Sequence, residues 1–438
     1  MTKRFSLYFL SALFAINNAY AVDGDVNGDG EANSADIVAI YNRIIAGETS
    51  HITQWEADIN CDKQVNSADV VTLYNNIIYG TPLFPQFVSS ADFLTDNGKT
   101  LSLPKNSIKS DKNLCFEAKI ADFTDKSVLT IGHGSAGDYT ASWIEVTQST
   151  VTTHTYTNGD KSSSFEHGMQ LKENIRITIS KKMSGITALL TIESNGNKFN
   201  SVIDWIGDNG TTGGIYAKVS QASLTECTMR WSCKDLMADV WMFGDSYFSL
   251  DSPARWTYYL VREGNPGLLL NAFPGAKSAE ILQDFKTLLS VAKPKIAIWC
   301  LGMNDRDNSS SSKTASSPNR AWLNATQEFI AICENNGITP ILSTIPTVVG
   351  GQQDKDFRYH GAKNNYVKNS GNRYIDFSEA VGANDETGLW QGQGTERDFL
   401  EGNANSLVRV HPSVAGAKAL YQQFTEDCTD IMLLLSDL

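Results

Sequence analysis

The 438-residue chain is short of positive charge and of proline, and it has no apolar run long enough to cross a membrane. Lys and Arg number 36 against 49 Asp and Glu, a formal net charge of −13. That balance argues against partners that need a clustered positive field, so neither nucleic acid nor an anionic membrane surface is expected. The apolar stretch 5–16 is too short to span a bilayer, and no later run reaches the ~18 residues a spanning helix needs. Only 19% of residues are charged, while 41% are hydrophobic and 10% aromatic, which excludes a disordered chain or a coiled coil. The seven cysteines (61, 115, 227, 233, 300, 333, 428) follow neither a metal-knuckle nor a disulfide-framework spacing. Their odd number leaves at least one free. Cys300 and Cys333 sit in apolar runs and read as small buried hydrophobes, whereas Cys227 and Cys233 are near enough to bridge if the geometry permits. The length implies about three domains.

What is there begins with an address. Lys3 and Arg4, the apolar run and Ala19-Tyr20-Ala21 have the layout of a signal peptide over residues 1–21. The mature protein is therefore expected to be exported: secreted, periplasmic or at the cell surface, without a membrane span.

Residues 25–47 recur at 58–80. Asp25, Asn27, Asp29, Asn33, Ser34, Ala35, Asp36, Tyr41, Asn42, Ile44, Ile45 and Gly47 reappear as Asp58, Asn60, Asp62, Asn66, Ser67, Ala68, Asp69, Tyr74, Asn75, Ile77, Ile78 and Gly80. Oxygen-bearing side chains at loop positions 1, 3, 5, 9 and 12, with a backbone carbonyl at 7 (Glu31 and Gln64), suit a hard cation of high coordination number, calcium above all. One helical stripe follows each loop: Ile37, Ile40, Tyr41, Ile44, Ile45 and then Val70, Leu73, Tyr74, Ile77, Ile78. Neither stripe can bury itself alone, so the two copies are expected to pack together. Acidic 12-residue loops closed by Asp36 and Asp69, each with one helix behind it, resemble the dockerin family of cohesin-binding modules over residues 23–80. The resemblance implies two structural calcium ions and a cohesin-like scaffold protein as partner. Ser34-Ala35 and Ser67-Ala68 stand where dockerins carry recognition residues, and they could equally cap the helices that follow. The second loop has Lys63 where the first has Gly30, at a position that wants a left-handed backbone, which should weaken that site without abolishing it.

The stretch 81–87 reads as a linker. From 88 to 235 apolar residues alternate, as in Ile175, Ile177, Ile179, and Asn-Gly pairs at 158–159, 195–196 and 209–210 supply turns. An antiparallel β-sandwich accounts for this, and its strand spacing resembles concanavalin- or laminin-G-like domains. Trp143 and Trp205, lying in alternating strands, read as core residues rather than sugar-stacking platforms.

From Asp239 onward strand and helix alternate: strands at 240–243, 268–271, 296–301, 340–345 and 373–377, and helices at 278–289, 321–335 and from 413 to the end. This pattern predicts a three-layer α/β domain with a parallel sheet, whose site lies beyond the carboxyl ends of the strands. Four motifs stand there in order: Gly244-Asp245-Ser246, Asn271 to Gly275, Gly302-Met303-Asn304-Asp305, and His411-Pro412-Ser413. Acyl transfer needs a hydroxyl, a base and donors for the oxyanion. Ser246 and His411 supply the first two. The backbone N–H groups of Ser246 and Gly275 and the Asn304 amide supply the third. The set resembles the SGNH/GDSL hydrolases over 239–438. That family places an Asp three residues before the His, and here that residue is Val408. Either a backbone carbonyl or another carboxylate, with Asp398 and Glu401 nearest upstream, orients His411, or the site is impaired. Asp245 and Asp305 read as structural ties, and the remaining histidines as surface or core residues.

A sandwich ahead of an SGNH domain that lacks the acid also resembles carbohydrate esterase family two. The combined reading is an exported serine esterase that removes O-acetyl or other acyl groups from plant cell-wall polysaccharide through an acyl-Ser246 intermediate. Two alternatives stay open: an impaired carbohydrate-binding or scaffold-docking protein, and a GDSL lipase or thioesterase.

Overall fold

The computed structural model describes residues 22–47, 50–90, 100–102, 113–133, 142–156, 160–171, 174–181, 187–205, 215–232, 234–248, 255–262, 268–273, 275–306, 315–346, 358–381, 411–412 and 414–436. The expected signal peptide lies outside them, as do Cys233, Asp398, Glu401 and Val408. Cys227 is a buried free thiol. Among the described residues no helix is long and apolar enough to cross a membrane.

The N-terminal module contains α1 (Ser34–Ala46), the short α2 (Gln54–Ala57) and α3 (Ser67–Tyr79). Asn33 and Asn66 cap the two long helices: each side chain accepts from the backbone two residues on, and Asp36 and Asp69 return the bond to the cap's own N–H. The cap role left open for Ser34 and Ser67 thus belongs to their neighbours. The module's core is small: Val26, Ile40, Ile52, Ala57, Ile59 and Leu73. Packing of the two stripes is only half as expected. Ile40 and Leu73 are buried, but Tyr41 is 50% exposed, Ile45 81%, Tyr74 46% and Ile78 54%. Two helices and a few short turns offer too little interior to cover ten apolar side chains.

The middle of the chain is an antiparallel sandwich. Its strands are β1 (Gln86–Ser90), β2 (Thr100–Ser102), β3 (Asn113–Ala121), β4 (Val128–His133), β5 (Ser142–Val146), β6 (Thr150–Tyr156), β7 (Asp160–Glu166), β8 (Asn174–Lys181), β9 (Thr187–Ser194), β10 (Asn197–Asp204), β11 (Ile215–Ser220) and β12 (Ser223–Ser232). One sheet runs β1-β12-β3-β8-β9-β10 and the other β2-β11-β4-β5-β6-β7. Alternation puts Ile175, Ile177 and Ile179 inward with Leu114, Phe116, Ile144 and Trp205. Trp205 is core as expected. Trp143 is not: it follows Ser142 and precedes Ile144, both buried, so it lies on the outer face of its sheet, stacked on His154 at 4.5 Å between ring centroids.

The C-terminal region is a three-layer α/β domain around a five-stranded parallel sheet, order β14-β13-β15-β16-β17, built from β13 (Val240–Asp245), β14 (Leu268–Phe273), β15 (Ile296–Cys300), β16 (Thr339–Ser343) and β17 (Arg373–Ile375). Both faces are covered, so the strands read as unbroken apolar runs. Trp241, Phe243, Leu269 and Trp299 face the side of α5 (Ser278–Leu289) and α6 (Arg320–Asn335). Val240, Met242, Leu268 and Ile298 face α4 (Trp256–Arg262), α8 (Phe377–Ala380), α9 (Val414–Asp427) and α10 (Thr429–Ser436). The terminal helix expected from 413 onward is therefore two helices. Between β16 and β17 lies α7 (His360–Asn369), which carries no apolar stripe.

Candidate active site and calcium loops

Strand register decides what meets at the top of the parallel sheet. Gly244 of β13 lies level with Ala272 of β14 and Cys300 of β15, so the segments that leave these three strands emerge side by side. The chain passes from β13 to β14 on one side and then returns to β15 on the other. This reversal makes the end of β13 the topological switch point, where an open α/β sheet leaves a crevice. Ser246 is the first residue beyond it.

His411, 165 positions away, comes to that point ahead of α9. Its Nε2 lies 2.8 Å from Ser246 Oγ, and its ring packs against Tyr247 at 5.6 Å. A hydroxyl within hydrogen-bond reach of an imidazole is an arrangement that can serve as nucleophile and base. Asp398 and Glu401, the carboxylates expected to orient the ring, lie outside the described residues.

Two of the three expected oxyanion donors, Asn304 and Gly275, also lie near each other. Asn304 Nδ2 donates to the carbonyl of Ala276 at 3.1 Å, next to Gly275. An amide nitrogen carries two protons, so this bond sets the orientation of the group and leaves one donor over. Gly275 has φ +80°, yet a Cβ there would meet nothing within 4 Å. Its glycine is thus required by the left-handed backbone, with no protein atom crowding the position.

Beneath the pair lies a buried polar layer. Asp245 accepts from the Tyr247 N–H at 3.1 Å, and burial pushes its carboxyl up to about 7, with Tyr247 and Met303 N–H groups opposing and Asp305 adding repulsion. Asp305 accepts from Ser278 through both backbone N–H (3.2 Å) and hydroxyl (2.8 Å), tying the third motif to the start of α5. Both aspartates are structural ties, as expected. The residues that sequence reasoning missed are on α7. Lys363 Nζ donates to the carbonyls of Gly302 (2.7 Å) and Asp305 (2.8 Å), while Asn364 pairs with the backbone N–H of Ile345 at 2.7 Å. His360 is buried and held neutral by burial, with the Lys363 and Arg306 charges acting in the same direction. No sequence signal could have found these groups, because their partners are backbone atoms of other segments.

The two loops of the N-terminal module are near copies. Asp25 accepts from the N–H groups of Gly28 (2.7 Å) and Gly30 (2.9 Å), and Asp58 from those of Asp62 (3.1 Å) and Lys63 (3.0 Å). Lys63 adopts φ 70° where Gly30 has φ 94°, so the second loop keeps the left-handed turn at a steric cost. Burial pushes the Asp25 carboxyl up to about 6, with Asp36 and Asp29 adding repulsion against the Gly30 and Gly28 N–H groups. Hard oxygens gathered against their own charge are a donor set that fits a calcium ion. Some predicted ligands have other first duties: Asn33 and Asn66 cap helices, and Asp36 spends its oxygens on the N–H groups of Val26, Asn27 and Asn33. Accordingly, among the described residues no three His, Cys, Asp or Glu side chains converge as a metal cluster.

Several solved structures resemble parts of the chain. A GDSL-like lipase from Bacteroides thetaiotaomicron is 12% identical, covers 43% of this chain and 85% of its own, and has a TM-score of 0.31. A catalytic mutant of an acetylxylan esterase from Geobacillus stearothermophilus is 16% identical, with coverage of 43% and 92% and a TM-score of 0.32. Sheep galectin-11 is 9% identical, with coverage of 31% and 98% and a TM-score of 0.24. No curated protein matches the chain. Residues 23–78 match the family model of the dockerin type I domain, and the chain carries that domain ahead of its sandwich and its α/β domain.

Proposed function

We propose that the protein is an exported serine esterase that removes O-acetyl or other small acyl groups from plant cell-wall polysaccharide. The observation that carries this reading is the 2.8 Å contact between Ser246 Oγ and His411 Nε2 at the switch point of the sheet. Ser246 Oγ attacks the ester carbonyl carbon as its proton passes to His411 Nε2. Charge on the carbonyl oxygen is met by the Asn304 amide and the backbone N–H groups of Ser246 and Gly275. The C–O bond to the sugar then breaks, His411 returns the proton to the departing hydroxyl, and an acyl-Ser246 ester remains. Water, giving a proton to His411, attacks that ester carbonyl; the C–O bond to Ser246 breaks, His411 passes the proton to Ser246 Oγ, and the carboxylic acid is released. His411 must carry its proton on Nδ1 to serve as base, and Asp398 or Glu401 is the proposed partner for that proton.

The dockerin type I domain supports a calcium-loaded module that docks on a cohesin-like scaffold. Asp25, Asn27, Asp29, Asn33, Asp36 and the Glu31 carbonyl would hold one ion, and Asp58, Asn60, Asp62, Asn66, Asp69 and the Gln64 carbonyl the second. The metal supplies cross-linking of each loop and no catalytic step. The exposed Tyr41, Ile45, Tyr74 and Ile78 give the two helices an apolar face for a protein partner.

Turnover of an aryl acetate and of acetylated xylan tests the reading, together with labelling by a fluorophosphonate. Ser246→Ala should lower kcat by on the order of 10⁴-fold or more and abolish labelling. Unlabelled wild-type protein, or a Ser246→Ala variant with full activity, would sink the idea.

A further inference from the structure

Lys363 has no exposed surface, and its ammonium bonds two carbonyl oxygens, of Gly302 and Asp305, that bracket Asn304. The segment between them is irregular, so its carbonyls are not spent on a sheet ladder. Burial pushes the Lys363 ammonium down to about 8, with the Asp305 carboxylate opposing. An apolar side chain of similar length would fill the same space without that penalty. The cation is therefore accounted for by what it holds. The loop it grips is held from the other side as well, since Asp305 binds the start of α5 through Ser278 and Asn304 binds Ala276.

We propose that Lys363 is a positioning residue for ester hydrolysis, which sets the aim of the Asn304 amide at the developing oxyanion by clamping the backbone on both sides of it. The proposal rests on the esterase reading above. Lys363 touches no substrate and acts only through Asn304.

A double-mutant cycle on the full chain tests this with p-nitrophenyl acetate, using Lys363→Met, Asn304→Ala and the pair. Lys363→Met should lower kcat by about 10²-fold, the loss that a misplacement near 1 Å can bring, with KM nearly unchanged. In the Asn304→Ala background the same substitution should change kcat by less than about twofold, because the group it aims is gone. Equal losses in both backgrounds, an unchanged kcat, or a loss confined to KM would each overturn the role. Should Lys363→Met fail to fold by circular dichroism, Lys363→Arg keeps the cation and its donors. It should give a milder kcat loss that again vanishes beside Asn304→Ala, and a loss that persists there overturns the proposal. Wild-type protein without Ser246-dependent turnover overturns the esterase reading and this role with it, whereas an additive cycle overturns the role of Lys363 alone.

Discussion

Asp245 is the residue of the Gly244-Asp245-Ser246 motif with the clearest energetic signature. The folded protein holds its proton up to about pH 7, chiefly because burial disfavours the charge, while an unfolded chain releases it near 3.8. Between those values the folded state holds this proton more tightly, so the contribution of Asp245 to stability falls as pH rises from about 4 to 7. Three units at roughly 1.4 kcal/mol each set an upper bound of about 4 kcal/mol. Asp245→Asn keeps an acceptor for the Tyr247 N–H and removes the titration. The difference in thermal midpoint between the variant and the wild type should grow from pH 4.5 to 7 in the variant's favour, and a constant difference would contradict the assignment. Lys63 offers a second test at this scale. Its left-handed backbone costs about 1 kcal/mol relative to glycine, so Lys63→Gly should raise calcium affinity of the second loop about fivefold by titration calorimetry.

Among the elements, strands were the most legible and α7 the least. Unbroken apolar runs such as 240–243 identify buried parallel strands, and Asn195-Gly196 marks the β9–β10 hairpin. The segment HGAKNNYVKN has no such pattern because its buried side holds Gly361, Ala362, Lys363 and Asn364. Polar side chains are buried there through backbone partners supplied by the segments beyond β15 and β16, which no periodicity records. The stripes of α1 and α3 mislead in the opposite sense: their 3.6 period is real, yet half of each stripe is exposed. A helix that presents apolar residues to a partner has the same pattern as one that presents them to a core. Replacing Ile45 and Ile78 by Asp should therefore leave the thermal midpoint within about 2 °C, as surface changes do, while binding to a cohesin is lost in a pull-down or by calorimetry.

At the scale of the molecule, three apolar clusters imply two cooperative units. One cluster joins the sandwich to a face of the parallel sheet and includes Leu236 and Ala238 of the connecting turn, with Trp231 on one side and Trp241 on the other. The dockerin core stands apart, touching the rest through polar contacts such as Lys234 with the Trp55 carbonyl and Lys63 with Asp239. Scanning calorimetry should show a small transition that chelation of calcium lowers or removes and a large one that it leaves in place. Turnover of the aryl acetate should likewise survive chelation. A single transition that shifts as a whole would show the units to be coupled.

By itself the sequence determined the three-part layout, the duplicated acidic loops and the positions of Ser246, Gly275, Asn304 and His411, because each of these depends on local residue type and spacing. Tertiary structure decided which strand ends stand level, which side chain holds the third motif and which half of each dockerin stripe is covered. These depend on register and on contacts between segments far apart in the chain, such as Lys363 with Gly302. Such contacts are specified by packing of the whole chain, and local pattern carries no trace of them.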